Sequence, residues 1–324
     1  MTVHLLVHYP EELIWEKFDL DDKEALLSRN IFIGNYVVFG DGVHIDNGVH
    51  VDHYVKIDDG CHIGLGVRIG NGSVLSRGCY VEERVFIGTK AWISSGVRIF
   101  SGAIIGDNCK LEAGCRINQG AIMDSNVFIG EGSDIGKGVK ISSYVRVCNN
   151  VRIRTSSKLG KMCHISPGSF IDEDVNIGVD VHIGQCAWIG KGVKLAYHVR
   201  INERATIHEN TELDEYVKIG TNAVVGKNVK IGKLSNVGEG SNIADKITIG
   251  EDQKPITLFI SGSFHKVIYS GKDEIQINRD TKSINEWQEK LNAMTNCLHF
   301  PEETIEECKR FISLIKSMHF HTHK

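Results

Sequence analysis

The chain has 324 residues, 41% hydrophobic and 24% charged, with a net charge of −4. That is the composition of a globular protein, and it supplies no broad positive field for a nucleic-acid backbone. No apolar run approaches the ~18–20 residues of a membrane-spanning helix, and nine cysteines without a CxxC pair point to reduced thiols in a cytoplasm.

The chain begins with MTVHLLVHYPEEL, which has no basic leader and no small-residue cleavage site. It does not read as a signal peptide. The segments EELIWEKF and DDKEALLSR are charged and mildly amphipathic. Residues 1–32 are expected to form an N-terminal cap segment.

From Ile33 a single frame takes over. Stepping by six gives Ile33, Phe39, Ile45, Val51, Ile57 and so on to Ile249, 37 hexads in all, each opened by Ile, Leu, Val, Met or Phe. With the aliphatic residue as i, position i+1 is mostly Gly, Asp, Ser, Asn or Glu, and i+4 is almost always Val, Ser, Ala, Cys or Thr. A period of 3.6 cannot produce this pattern. Short strands broken by turns can, with i facing inward and its neighbours outward. Gly is abundant at 34 and Pro scarce at 4, which suits tight turns without proline loops. Cys61, Cys79, Cys109, Cys115 and Cys163 all occupy i+4, where a small hydrophobe is wanted. Cys148 at i+1 and Cys186 at i+3 should be more exposed.

After residue 254 the pattern changes. Residues 255–280 alternate as short strands separated by Ser-Gly and Lys-Asp turns. Residues 281–324 predict a helical hairpin. Its first helix opens on a capping box, Ser283 with Glu286, and carries Ile284, Trp287, Leu291, Met294 and Leu298 on one face. The second starts at Pro301 and carries Ile305, Cys308, Ile312, Ile315 and Met318. The hairpin is expected to pack on the last coils or on the small sheet.

Units such as IGEGSD, IGKGVK and IGTNAV resemble the hexapeptide repeats of the left-handed parallel β-helix acyltransferase superfamily, and the resemblance covers residues 33–254. It implies an all-β solenoid of about twelve triangular coils, three hexads to a coil, left-handed and single-stranded. It also implies a homotrimer and an acyl thioester donor such as acetyl-coenzyme A. The tail is similar to extensions on bacterial or phage-borne hexapeptide proteins.

Three groups of residues carry candidate chemistry. His53, in VDHYVK at i+2, loosely resembles the histidine hexad of lipid A acyltransferases, which implies a general base; the alternative is an exposed corner. Residues 18 apart stack on one face. Arg146, His164, His182, Arg200 and Lys218 therefore form a column, either an anion or acyl-donor site or a solvated face paired with acids. Phe86, Ile104 and Ile122 form an outward apolar stripe, with Trp92, Phe100 and Phe128 on nearby faces. The stripe would meet another subunit, the chain's own N-terminal segment or a ligand. His44 and His62 also stack. No His-x4-His occurs, so no metal is expected.

The hexads run without the extruded loop that many relatives of this fold carry, so little concavity is expected. The leading functional reading is an acetyl or other acyl transferase acting on a sugar or nucleotide sugar, without nucleic-acid or membrane partners. The alternative is a noncatalytic solenoid with a structural, assembly or surface-binding role.

Overall fold

Each hexad folds as a two-residue strand followed by a four-residue corner. The strand turns its first residue outward and its aliphatic residue inward: Phe86 is 44% exposed and Ile87 is fully buried. The computed structural model describes residues 2–8, 13–19, 22–249, 258–261, 266–269, 274–277, 280–294 and 302–322. Strands pair in parallel with those 18 residues away, as Phe86 does with Arg68 and Ile104, so three faces make one turn. The hexads form a parallel β-solenoid of about twelve turns. We call the faces first, second and third after their opening strands, Phe32–Ile33, Val38–Phe39 and His44–Ile45.

The corner explains a rule that the repeat hides. Every i+3 residue from Tyr36 to Lys246 lies at positive φ, between 52 and 70°. This left-handed conformation costs an L-residue roughly 1–2 kcal/mol, and more if it is β-branched. No Val, Ile or Thr stands at any of these positions; Gly and Asn recur instead.

Position i+4 has its own logic. Ser73 Oγ donates to Gly88 O (2.8 Å) and accepts Ala91 N–H (3.0 Å), so a buried hydroxyl joins one turn to the next. Cysteine reproduces the donating half: Cys115 Sγ lies 3.0 Å from Gly130 O and Cys163 Sγ 3.0 Å from Gly178 O. All five i+4 cysteines are buried, Cys148 is half-buried and Cys186 is exposed, as the sequence pattern requires. Burial pushes the Cys115 thiol up to about 11. Cys186 should therefore react with a disulfide reagent well before Cys115 at mildly alkaline pH. Peptide mapping of the labelled protein reads this, and equal labelling of Cys115 in the folded state would contradict it.

The chain forms two compact units, Met1–Asp180 and Val181–Lys324. In the first, EELIWEKF contributes mostly to a strand. Leu13–Asp19 pairs antiparallel with Thr2–His8, which itself adds in parallel to His44–Ile45. The hairpin thus covers the open backbone of the first third-face strand, an edge that would otherwise invite another chain. Helix α1 (Lys23–Ser28) is N-capped by Asp22, which accepts Ala25 N–H (3.0 Å). Its Leu26 and the adjoining Ile31 are buried, and Gly48 N–H donates to Arg29 O (2.9 Å), tying the segment to the first turn.

In the second unit, hexads continue to Ile249, and a four-stranded antiparallel sheet spans Leu258–Ser283 in simple meander order. Helix α2 (Ile284–Met294) opens on the expected capping box: Ser283 N–H and Oγ both donate to Glu286 Oε2 (2.8 Å), and Glu286 N–H returns to Ser283 Oγ (3.2 Å). Ile284, Trp287 and Leu291 of α2 share a core with Ile305, Cys308, Ile312 and Ile315 of α3 (Glu302–Thr322) and with Val267, Tyr269, Ile275 and Ile277 of the sheet. Of the two expected docking places, the hairpin takes the small sheet. Leu298 lies outside the described residues. Buried Gln276 joins sheet to solenoid: its Nε2 donates to Asn242 O (2.8 Å) and its Oε1 accepts Ala244 N–H (3.3 Å). Its amide thereby engages backbone groups that a next rung would otherwise engage.

Candidate functional site

His53 sits on the corner after Val51 and is 42% exposed. Asn35 N–H, one turn earlier, donates to its Nδ1 (2.8 Å), which leaves the neutral ring's proton on Nε2, 3.6 Å from Asp52 Oδ1. Asp52 Oδ1 also accepts His53 N–H (2.8 Å). The same backbone bond recurs at i+2 elsewhere: Asp41 N–H to Asp59 (2.9 Å), Thr89 N–H to Asp107 (2.7 Å), Lys227 N–H to Asp245 (2.7 Å). In all four cases the upper turn has Gly at i+1, and a Cβ at Gly88 would lie 2.6 Å from Asp107 Oδ1. His53 thus does at its corner what aspartate does at three others.

The cationic column has residues in both units. In the first, Arg146 and His164 lie in register, and the Arg146 guanidinium stacks over Phe128 at 4.4 Å. Burial, then the Arg146 charge, holds the His164 imidazole below its usual range, so Arg146 is the standing cation of this pair at neutral pH. Cys148 Sγ approaches His164 Nε2 to 3.8 Å. The sixteen-residue spacing of i+1 and i+5 residues on successive turns brings them together, a juxtaposition that zinc-finger spacing does not register. In the second unit, His182, Arg200 and Lys218 lie in register, and Arg200 Nη2 is 3.4 Å from His198 Nε2. Among the described residues no group of three or more His, Cys, Asp or Glu could hold a metal ion. No described helix is long and apolar enough to cross a membrane.

The apolar stripe is in register on the first face, with Phe86 44% and Ile104 40% exposed and Ile122 half-buried. The face is not flat beside it. Gly70 and Gly88, at i+1 on successive turns, leave a hollow of about 430 Å³ lined also by His50, Asp52, Arg68, Phe86 and Thr89. A second groove, about 690 Å³, runs along the corner after the third face and includes Gly136. The expectation of little concavity therefore needs correcting: stacked Gly70 and Gly88 supply one hollow, and the corner around Gly136 a second, where no loop does. His50 is the residue that sequence reasoning passed over. It stacks on Phe32 (4.4 Å, 16°) and lies in register with Arg68. Among the described residues neither ring nitrogen of His50 is hydrogen-bonded, and Arg68 has no carboxylate at ion-pair distance. The first hollow thus joins an available imidazole, an uncompensated guanidinium and the apolar wall of Phe86.

Residues 80–119 match the family model of the hexapeptide repeat of succinyl-transferase. No curated protein matches the chain. Among solved structures, similarity is found to a GDP-perosamine N-acetyl transferase from Caulobacter crescentus, at 17% identity over 38% of this chain and 50% of that one, with a TM-score of 0.24. A UDP-N-acetylglucosamine O-acyltransferase from Moraxella catarrhalis gives 14% identity over 85% and 93%, with a TM-score of 0.25. The acetyltransferase domain of PglB from Neisseria gonorrhoeae gives 22% over 44% and 54%, with a TM-score of 0.22. The match spans about half the length of the Caulobacter and Neisseria chains. One unbroken frame of hexads and ladders that step by eighteen residues give this chain a hexapeptide-repeat parallel β-solenoid fold, and residues 80–119 carry the matching repeat model.

Proposed function

We propose that the protein is an acyltransferase, taking an acyl thioester such as acetyl-coenzyme A and acylating an amine or hydroxyl of a sugar or nucleotide sugar. The observation that carries this reading is the first-face hollow, where available His50 and uncompensated Arg68 meet an apolar wall. His50 takes the proton of the acceptor nucleophile as the new C–N or C–O bond forms at the thioester carbonyl. The tetrahedral oxyanion gains from a nearby cation, for which Arg68 is placed. The C–S bond then breaks, and the proton passes from His50 to the departing thiolate. His53 keeps the corner, with Asp52 between the two histidines in sequence and at the rim of the hollow.

Thiol release from acetyl-coenzyme A in the presence of a panel of amino sugars and nucleotide sugars tests the reading. Acceptor-dependent release is expected. No release with any acceptor favours the second reading, a noncatalytic solenoid, which rests on the unbroken hexads and on His53 serving as a corner acceptor.

The stripe of Phe86, Ile104 and Ile122 borders this hollow, and in this proposal copies of the chain meet there as a homotrimer. Ile104→Asp should convert the trimer to monomer at micromolar concentration, read by light scattering. A variant with the parent's mass would place the interface elsewhere.

A further inference from the structure

We infer that the groove along the corner after the third face is a separate binding site for a phosphorylated small molecule, the phosphate held by Lys137 and Arg152 and the organic part laid against Phe100. Lys137, Arg152 and Arg154 line this groove together with two carboxylates, Glu82 and Asp134. The carboxylates are already engaged. Glu82 Oε2 accepts Ser101 N–H (3.0 Å) and Oγ–H (2.6 Å), and Asp134 Oδ1 accepts Asn118 Nδ2–H (2.6 Å). Arg154 lies over Phe170, 5.5 Å from the ring centre. Lys137 and Arg152, both exposed, pair with no carboxylate among the described residues.

The positive charge extends beyond the groove. Arg98, Arg116, Asp134 and Arg152 lie in register on successive third-face strands, roughly 4.8 Å apart. Three arginines thus stand in a line whose single acid is bound to Asn118. Side-chain guanidinium groups bind phosphate oxygens in pairs, and an ammonium beside them adds a point charge. Room for the ligand comes from Gly136: a Cβ there would lie 2.7 Å from Ile153 O, so the floor is bare backbone. The volume of about 690 Å³ falls in the ordinary range for small-molecule sites. Half-buried Phe100 offers the organic part an apolar plate. This site shares no residue with the hollow around His50, and it stands whether or not that hollow is catalytic.

Titration calorimetry on the full chain tests it with two probes, inorganic pyrophosphate and phenyl phosphate. Both should bind saturably, one per chain, and weaken as salt rises. Lys137→Gln with Arg152→Gln should weaken both at least tenfold while leaving the thermal midpoint unchanged, since both side chains are exposed. Arg152→Lys should fall between, keeping charge without the fork. Phe100→Ala should weaken phenyl phosphate and leave pyrophosphate alone. Arg68→Gln, in the other hollow, should change neither. Absence of saturable binding, binding untouched by the double substitution, or binding lost in Arg68→Gln would each overturn the assignment.

Discussion

His50→Ala is expected to lower acceptor-dependent thiol release by about 100-fold or more in kcat, the usual contribution of a positioned general base. The reason lies in which ring nitrogens are available. His50 stacks on Phe32 and faces the hollow with its nitrogens uncommitted, whereas His53 already receives Asn35 N–H at Nδ1. His53→Asp should therefore keep turnover near the parent's, because aspartate makes the same bond at three other corners. His53→Ala should cost about 1 kcal/mol of stability for the lost acceptor, read by urea denaturation. If the His53 variants abolish turnover and His50→Ala does not, the roles are reversed and the base is His53.

Gly88→Ala is expected to destabilise the fold by about 2–3 kcal/mol, although it adds one methyl group. A Cβ there would stand 2.6 Å from Asp107 Oδ1, 2.7 Å from Asp107 N and 2.7 Å from Gly106 C. Two of these atoms are backbone in the next turn, so the turns must part or the Thr89–Asp107 corner bond must give. Gly96→Ala is the informative control. That glycine lies at φ 68° with nothing within 4 Å of a built Cβ, so its substitution meets strain without collision. It should cost about 1 kcal/mol. Solenoid stability is a sum of local terms, so hydrogen exchange should show the Gly88 damage concentrated in neighbouring turns. Equal losses in the two variants would refute the collision argument.

The difference between these glycines also marks how far sequence reading reaches. The in-facing Ile and Val of each hexad, the small residue at i+4 and the pairing of residues 18 apart follow from period alone. Cys61 and Cys115 are buried for that reason, and the Ser283–Glu286 box is a purely local signal. Other features are relations between turns. The first hollow exists because Gly70 and Gly88 stack at i+1 on successive turns, and the second includes a single Gly136 between Asn118 and Arg154, relations that a unit-by-unit reading does not register. The state of His53 depends on the amide of Asn35, and the approach of Cys148 to His164 on a sixteen-residue offset. Leu13–Asp19 has a charged, mildly amphipathic sequence, yet its partner Thr2–His8 is drawn out by the open backbone of His44–Ile45. A segment's own pattern does not announce that edge.

Parallel ladders of this kind have no intrinsic length, since any terminal strand is a template for the next. Gln276 acts on the third-face strand at Asn242–Ile243 as a decoy peptide: one side-chain amide presents a donor and an acceptor where another chain's backbone could add. A glutamine held by a separate small core thus works as a stopper against end-to-end polymerisation at that strand. The tail's contribution is then to the solution behaviour of the protein as much as to its fold.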